Sequence, residues 1–215
     1  MDASIEGFKR LGTSTVSDAM DRLGIIGQPL GIMPLDRSFR LCGRAFTVRT
    51  VPVDVVKGSV GDYIDDVSEG EVVVLDNAGM LDRTVWGDIL TIMAHRRKVG
   101  GTVIHGICRD VDRSLELSYP IFSRGNWMRT GKDRVQADGY NVPCSLGEIR
   151  VNPGDLILGD GDGIVVVAQQ HEEAILKAAN EIDQAEERIR QAIAGGASLI
   201  EARTQMGYHQ LQSRR

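Results

Sequence analysis

Apolar residues recur in distinct rhythms along this chain, and each rhythm predicts an element. "TSTVSDAMDRLG" (13–24) has a helical spacing, with a Thr/Ser cluster at 13–15 to cap its start and Gly24 to stop it. "GRAFTVRTVPV" (43–53) alternates and is rich in Val, Thr and Phe, which predicts a strand. "EVVVLD" (71–76) is a short continuous apolar run, suited to a strand covered on both faces. Trp86, Ile89, Leu90, Met93 and Ala94 then mark one face of a helix over 86–98, with Asp88, Thr91, His95 and Arg96 opposite. Gly100-Gly101 ends that helix, "TVIHGIC" (102–108) predicts a strand, "DVDRSLEL" (110–117) a short helix and "PIFSRG" (120–125) another strand.

From Val142 the pattern changes to several short strands, with turns at Asn152-Pro153-Gly154-Asp155 and from Gly159 to Gly163, which predicts an antiparallel section. A long helix follows from His171 to about Ala194, with Ile175, Ala178, Ala179, Ile182, Ala185 and Ile189 as its apolar stripe. A final short helix is expected from Ser198 to about Met206, and "QLQSRR" (210–215) reads as a frayed end. No repeat, linker or low-complexity tract interrupts the 215 residues, so one mixed α/β domain in layers is the economical architecture.

Composition narrows the function. Apolar residues make up 42% and charged residues 26%, as in a globular protein in water. A net charge of -5 argues against nucleic acid as partner, although one local arginine suffices for a small anion. No apolar run reaches the roughly 20 residues of a membrane helix. Cys42, Cys108 and Cys144 are widely spaced, with no zinc pattern; their odd number, without a signal peptide, is expected of a reducing cytoplasm.

The candidate chemistry lies in "WGDILTIMAHRRKVGGTVIHGICRD" (86–110). A helix over 86–98 runs about 20 Å, and a strand over 102–108 about 23 Å. The glycine pair between them reverses the chain. Asp88, in the first helical turn, should therefore return to the edge where Arg109 and Asp110 follow the strand. Arg109 could hold a carboxylate, the helix start favours an anion, and two aspartates brought together favour a hard cation such as Mg²⁺ or Mn²⁺. Two solvated surface carboxylates remain the alternative. "GDGDG" (159–163) has the wrong spacing for a nucleotide loop and is read as a turn.

Asp88, twenty residues, then Arg109-Asp110 resembles the D-x20-R-D motif of the RraA-like family, which includes class II aldolases acting on 4-hydroxy-4-methyl-2-oxoglutarate and 4-carboxy-4-hydroxy-2-oxoadipate, and regulators of ribonuclease activity. "STVSDAMDRLG", "GRAFTVRTV", "PGDLILGDGDGIVVV" and "AEERIRQAIAGGASLIEA" resemble further family segments in the same order. The resemblance implies an α/β/β/α sandwich of swivelling-domain-like type, assembled as trimers or hexamers. It implies a lyase that cleaves a 4-hydroxy-2-oxo acid to pyruvate and a second carbonyl compound, with oxaloacetate decarboxylation as a side activity. Asp110 would bind the divalent metal, Mg²⁺ or Mn²⁺, directly. Asp88, and Glu186 (or Glu187) of a neighbouring subunit, would act through water. Arg109 would bind the pyruvyl carboxylate and steady the enolate, and main-chain N–H groups at Asp88, Ile89 and Leu90 would line the carboxylate pocket. The alternative is a non-catalytic ribonuclease regulator. Two positions depart from the family pattern: Arg113 stands where an acid is common, and His105 where an aspartate is common. His105 is read first as a core-edge residue making one hydrogen bond.

Overall fold

Strand β2 (Leu41–Pro52) belongs to two sheets at once. The structure, a computed structural model, describes residues 2–56 and 58–205. The first four residues of β2, Leu41 to Arg44, pair antiparallel with β9 (Leu156–Asp160). From Ala45 to Arg49 it pairs parallel with β3 (Val72–Asp76), and its far end pairs antiparallel with β6 (Val135–Tyr140). At the change of partner, the Ala45 N–H donates to the Asp155 carbonyl (2.8 Å) and the Ala45 carbonyl accepts from the Gly154 N–H (2.9 Å). The strand order is β1-β5-β4-β3-β2-β9-β10, with β1 (Met33–Pro34), β4 (Gly101–His105), β5 (Ile121–Ser123) and β10 (Gly163–Val167). β7 (Cys144–Leu146) and β8 (Ile149–Val151) form a separate hairpin.

Side-chain alternation turns this topology into layers. Val73 and Leu75 of β3, Ile104 of β4 and Phe46 of β2 face an apolar layer containing Trp86 and Tyr119, whose rings stack in parallel at 6.1 Å. That layer is covered by α3 (Asp88–Arg96) and α4 (Val111–Glu116). The alternate residues Val72, Val74 and Val103 face a middle layer, where Ile157, Ile164, Val166 and the β7–β8 hairpin meet them. Leu156, Leu158, Val165 and Val167 point the other way, onto α1 (Ala3–Phe8), α2 (Thr13–Leu23) and α5 (Glu172–Ala194). The result is helix, sheet, sheet, helix. Every residue of the predicted α5 stripe, Ile175 through Ile189, is buried.

Several boundaries and faces differ from the sequence pattern. β4 ends at His105, because Gly106 to Cys108 leave the ladder for isolated bridges to Thr84 and Asn126. On α3 the buried face is rotated: Thr91 is 1% exposed, whereas Ile89 is 77% exposed. The reason is the indole of Trp86, buried just before the helix, whose N–H needs an acceptor and finds the Thr91 hydroxyl at 2.9 Å. α6 (Leu199–Gln205) occupies the place of the expected last helix; Met206 and the terminal "QLQSRR" lie outside the described residues. Among the described residues, no helix is long and apolar enough to cross a membrane.

The start of α2 is capped from a distance. Its N-cap is Gly12, which has no side chain to offer. The Thr13 N–H and hydroxyl instead donate to the Asp160 carboxylate at the end of β9 (2.8 and 2.7 Å). Burial raises the Asp160 pKa, but these bonds and the Asp162 N–H outweigh it and hold the carboxyl below its ordinary value. Asp160→Ala should therefore destabilise the fold by about 1–2 kcal/mol, read as a lower midpoint in thermal denaturation. A carboxyl depressed on folding stabilises above its unfolded pKa, so the gap between wild type and variant should close as pH falls below about 4.

Candidate active site

Gly87 lies where two chain segments come closest. It is the N-cap of α3, in an extended conformation (φ -149°, ψ -167°). A Cβ at this position would sit 2.7 Å from Asp110 Oδ2 and 3.3 Å from Arg109 Nε, so a side chain here would have to displace the carboxylate. The Arg109 N–H donates to the Trp86 carbonyl (3.0 Å), which lays residues 86–88 beside 109–110. The Asp88 N–H then donates to Asp110 Oδ2 (3.3 Å), and Arg109 Nε stands 3.3 Å from the same oxygen. The structure thus brings Asp88, Arg109 and Asp110 together at the edge defined by the start of α3 and the chain leaving β4.

Asp110 itself is unusual. Its backbone is left-handed (φ 54°) at the N-cap of α4, yet its side chain makes no capping bond to that helix. Aspartate is among the few residues that tolerate this conformation. The carboxylate turns back toward α3, and both of its contacts fall on Oδ2, so Oδ1 is the oxygen available to a cation. The side chains of Arg109 and Asp110 are 39% and 40% exposed, open enough to receive a ligand.

Beside this junction lies a cleft of about 520 Å³, within the range typical of small-molecule sites. Arg109, Asp88, Ile89 and Leu90 line it, with Trp86 and Met93 among the apolar residues. Asp110 is not part of the lining; it sits behind Gly87 and Asp88. The wall also includes Thr84, Asp62 and Lys132, which the sequence pattern did not single out. Lys132 comes from the loop between β5 and β6, which the bridge from Thr84 to Thr130 helps bring to the site.

The remaining sequence candidates lie elsewhere. Glu186 and Glu187 are on α5, in the opposite outer layer, where both interact with Arg190. A site containing Glu186 would require a second copy of the chain. Arg113 is on α4, paired with Glu116 at 2.8 Å, and does not line the cleft. His105 faces the middle layer at the end of β4, beside Asp76 (3.5 Å) and the Gly147 N–H (3.3 Å). It makes two contacts where one was expected, and it too is outside the cleft.

The donor set suits one class of metal. Among the described residues, no group of three or more His, Cys, Asp or Glu side chains could hold an ion by itself. Asp88 and Asp110 supply carboxylate oxygens only. Magnesium is commonly held by one or two carboxylates, with water completing its shell, and manganese also takes oxygen ligands. The two aspartates fit such a cation and do not fit a zinc site of thiols and imidazoles.

Comparison with known proteins gives the family of the chain. The chain is 38% identical over 202 residues to Protein DlpA of Legionella pneumophila, covering 92% of this chain but 33% of that protein, so it spans about a third of that relative's length. It is 33% identical over 198 residues to "Putative 4-hydroxy-4-methyl-2-oxoglutarate aldolase" of Halalkalibacterium halodurans, covering 92% of each. Its fold matches Streptomyces coelicolor RraAS2, described as an unusual member of the RNase ES inhibitor RraA protein family, with a TM-score of 0.82, 28% identity, and coverage of 88% of this chain and 98% of that one. The profile of the RraA-like family (Aldolase/RraA) matches residues 13–166, and the chain belongs to that family.

Proposed function

We propose that this protein is a divalent-metal-dependent lyase that cleaves a 4-hydroxy-2-oxo acid of the 4-hydroxy-4-methyl-2-oxoglutarate type to pyruvate and a second carbonyl compound. One observation carries the reading: the Asp88 N–H and Arg109 Nε converge on the Asp110 carboxylate directly behind the wall of a cleft that Asp88 and Arg109 line. The name of the Halalkalibacterium relative supports it.

Asp110 would hold Mg²⁺ or Mn²⁺, with Asp88 acting through water. Bound there, the cation would polarise the 2-oxo group. The residues of this chain do the rest. Arg109 binds the C1 carboxylate through paired hydrogen bonds and places the 2-oxo group toward the aspartates. The main-chain N–H groups at the start of α3 add their dipoles to that anion. The proton leaving the C4 hydroxyl passes to water held by Asp88 and by Glu186 of a neighbouring copy in a trimer or hexamer. The C3–C4 bond breaks, its electron pair becomes the pyruvate enolate, and the second carbonyl forms at C4. Arg109 balances the enolate charge until C3 is protonated and pyruvate leaves. Oxaloacetate yields the same enolate by losing CO₂ and needs no hydroxyl base, so its decarboxylation belongs to the same site.

The second reading is a binding protein without catalysis, favoured by the likeness to RraAS2. Pyruvate release separates the two: the lyase releases it from oxaloacetate and 4-hydroxy-4-methyl-2-oxoglutarate with Mg²⁺ or Mn²⁺, and chelation stops it.

Arg109→Ala and Asp110→Ala should each lower kcat/KM for both substrates by about 10²-fold or more in a coupled pyruvate assay, as expected when a transition-state charge partner is removed. Wild-type activity in either variant overturns the assignment. Gly87→Ala should also lose at least about tenfold in kcat, because its methyl group displaces the Asp110 carboxylate and a small displacement in a site is costly. Its thermal midpoint, measured alongside, separates this from unfolding.

A further inference from the structure

Only two cationic side chains line the cleft among the described residues, Arg109 and Lys132. Lys132 has no ion-pair partner among the described residues, while Arg97 lies beside Asp65 of the lining (4.0 Å) and Arg134 donates to the carbonyls of Thr130 and Lys132.

The position of Lys132 is built. A Cβ on Gly131 would lie 2.1 Å from the Thr84 carbonyl and 2.7 Å from Val135, so the loop presses against the cleft wall at a point only glycine can occupy. Thr84 fastens the loop from the other side, its N–H and hydroxyl both donating to the Arg129 carbonyl at 3.1 Å. The Lys132 N–H donates to the Thr130 hydroxyl (3.2 Å), and the Gly131 carbonyl accepts from Arg134 and Val135 (2.9 Å each). A tethered loop thus carries a flexible, unpaired ammonium to a site that already has one arginine. Apolar groups such as Leu90, Met93 and Ile64 share the lining with these charged side chains. Asp62, Asp65 and Asp88 also line the cleft as carboxylates that disfavour a second anion beside themselves, which leaves the cationic Lys132 as the place for one.

We infer that Lys132 binds the far carboxylate of the substrate, so that the cleft selects dicarboxylic 2-oxo acids over monocarboxylic ones of equal length. The inference rests on the reading of the cleft as a 2-oxo acid site and names a binding residue for it. An unpaired ammonium on a fixed loop forms a charge-assisted bond to a carboxylate without breaking an existing pair.

The test uses two unreactive five-carbon probes that differ only at the far end, 2-oxoglutarate and 2-oxopentanoate. Their affinities for the full chain are measured by titration calorimetry with Mg²⁺ present. Wild type should prefer 2-oxoglutarate by about five- to tenfold, Lys132→Ala should bring the ratio near one, and Lys132→Arg should keep most of it. A Lys132→Ala protein that folds normally and keeps the wild-type ratio overturns the role of Lys132 and leaves the lyase reading standing. A wild type that binds neither acid overturns both.

Discussion

The double membership of β2 is the constraint on which the rest of the structure depends. One strand cannot lie flat in two sheets, so the change of partner at Ala45 sets the sheets over each other and creates a closed middle layer. With both faces of β3 and β4 then covered, their sequences can be apolar at every position, as "VVVL" is in β3. The same arrangement sends α3 and α4 to one outer layer and α2 and α5 to the other. It also leaves the ends of the parallel strands β3 and β4 free of a sheet continuation, and the candidate site stands at that edge.

At that edge, packing and electrostatics depend on each other. Gly87 allows a carboxylate to approach the start of a helix, where a main-chain N–H receives it. The left-handed backbone of Asp110 withholds its side chain from its own helix and directs it toward the neighbouring one. Strained backbone of this kind commonly accompanies functional sites. Arg109 can then serve both the carboxylate behind it and the cleft in front, which makes it the link between the proposed cation and the substrate.

The legible parts of the fold were those where a single face decides burial. The α5 stripe was readable because Ile175 to Ile189 repeat at helical spacing and one face meets one layer. β6 was missed: "VQADGY" contains Asp and Gly, and it earns its place by pairing with the end of β2. α1 and β1 were also missed; six and two residues are too short for a rhythm. On α3 the pattern named the right helix but misjudged its face, since Thr91 is buried by the hydrogen-bonding need of Trp86, a pairing that periodicity does not encode.

By itself, the sequence determined the out-and-back path from Asp88 to Asp110, because a helix and a strand of matched length joined by glycines must return to one edge. It also determined the alternation that sorts side chains into layers. Only the tertiary structure decided what else reaches that edge. Lys132 arrives because Thr84 and Gly131 allow two loops distant in sequence to touch. Glu186 stays away because α5 is committed to the opposite layer. Local chain geometry follows from residue spacing, whereas contacts between separate segments depend on packing, which spacing does not contain.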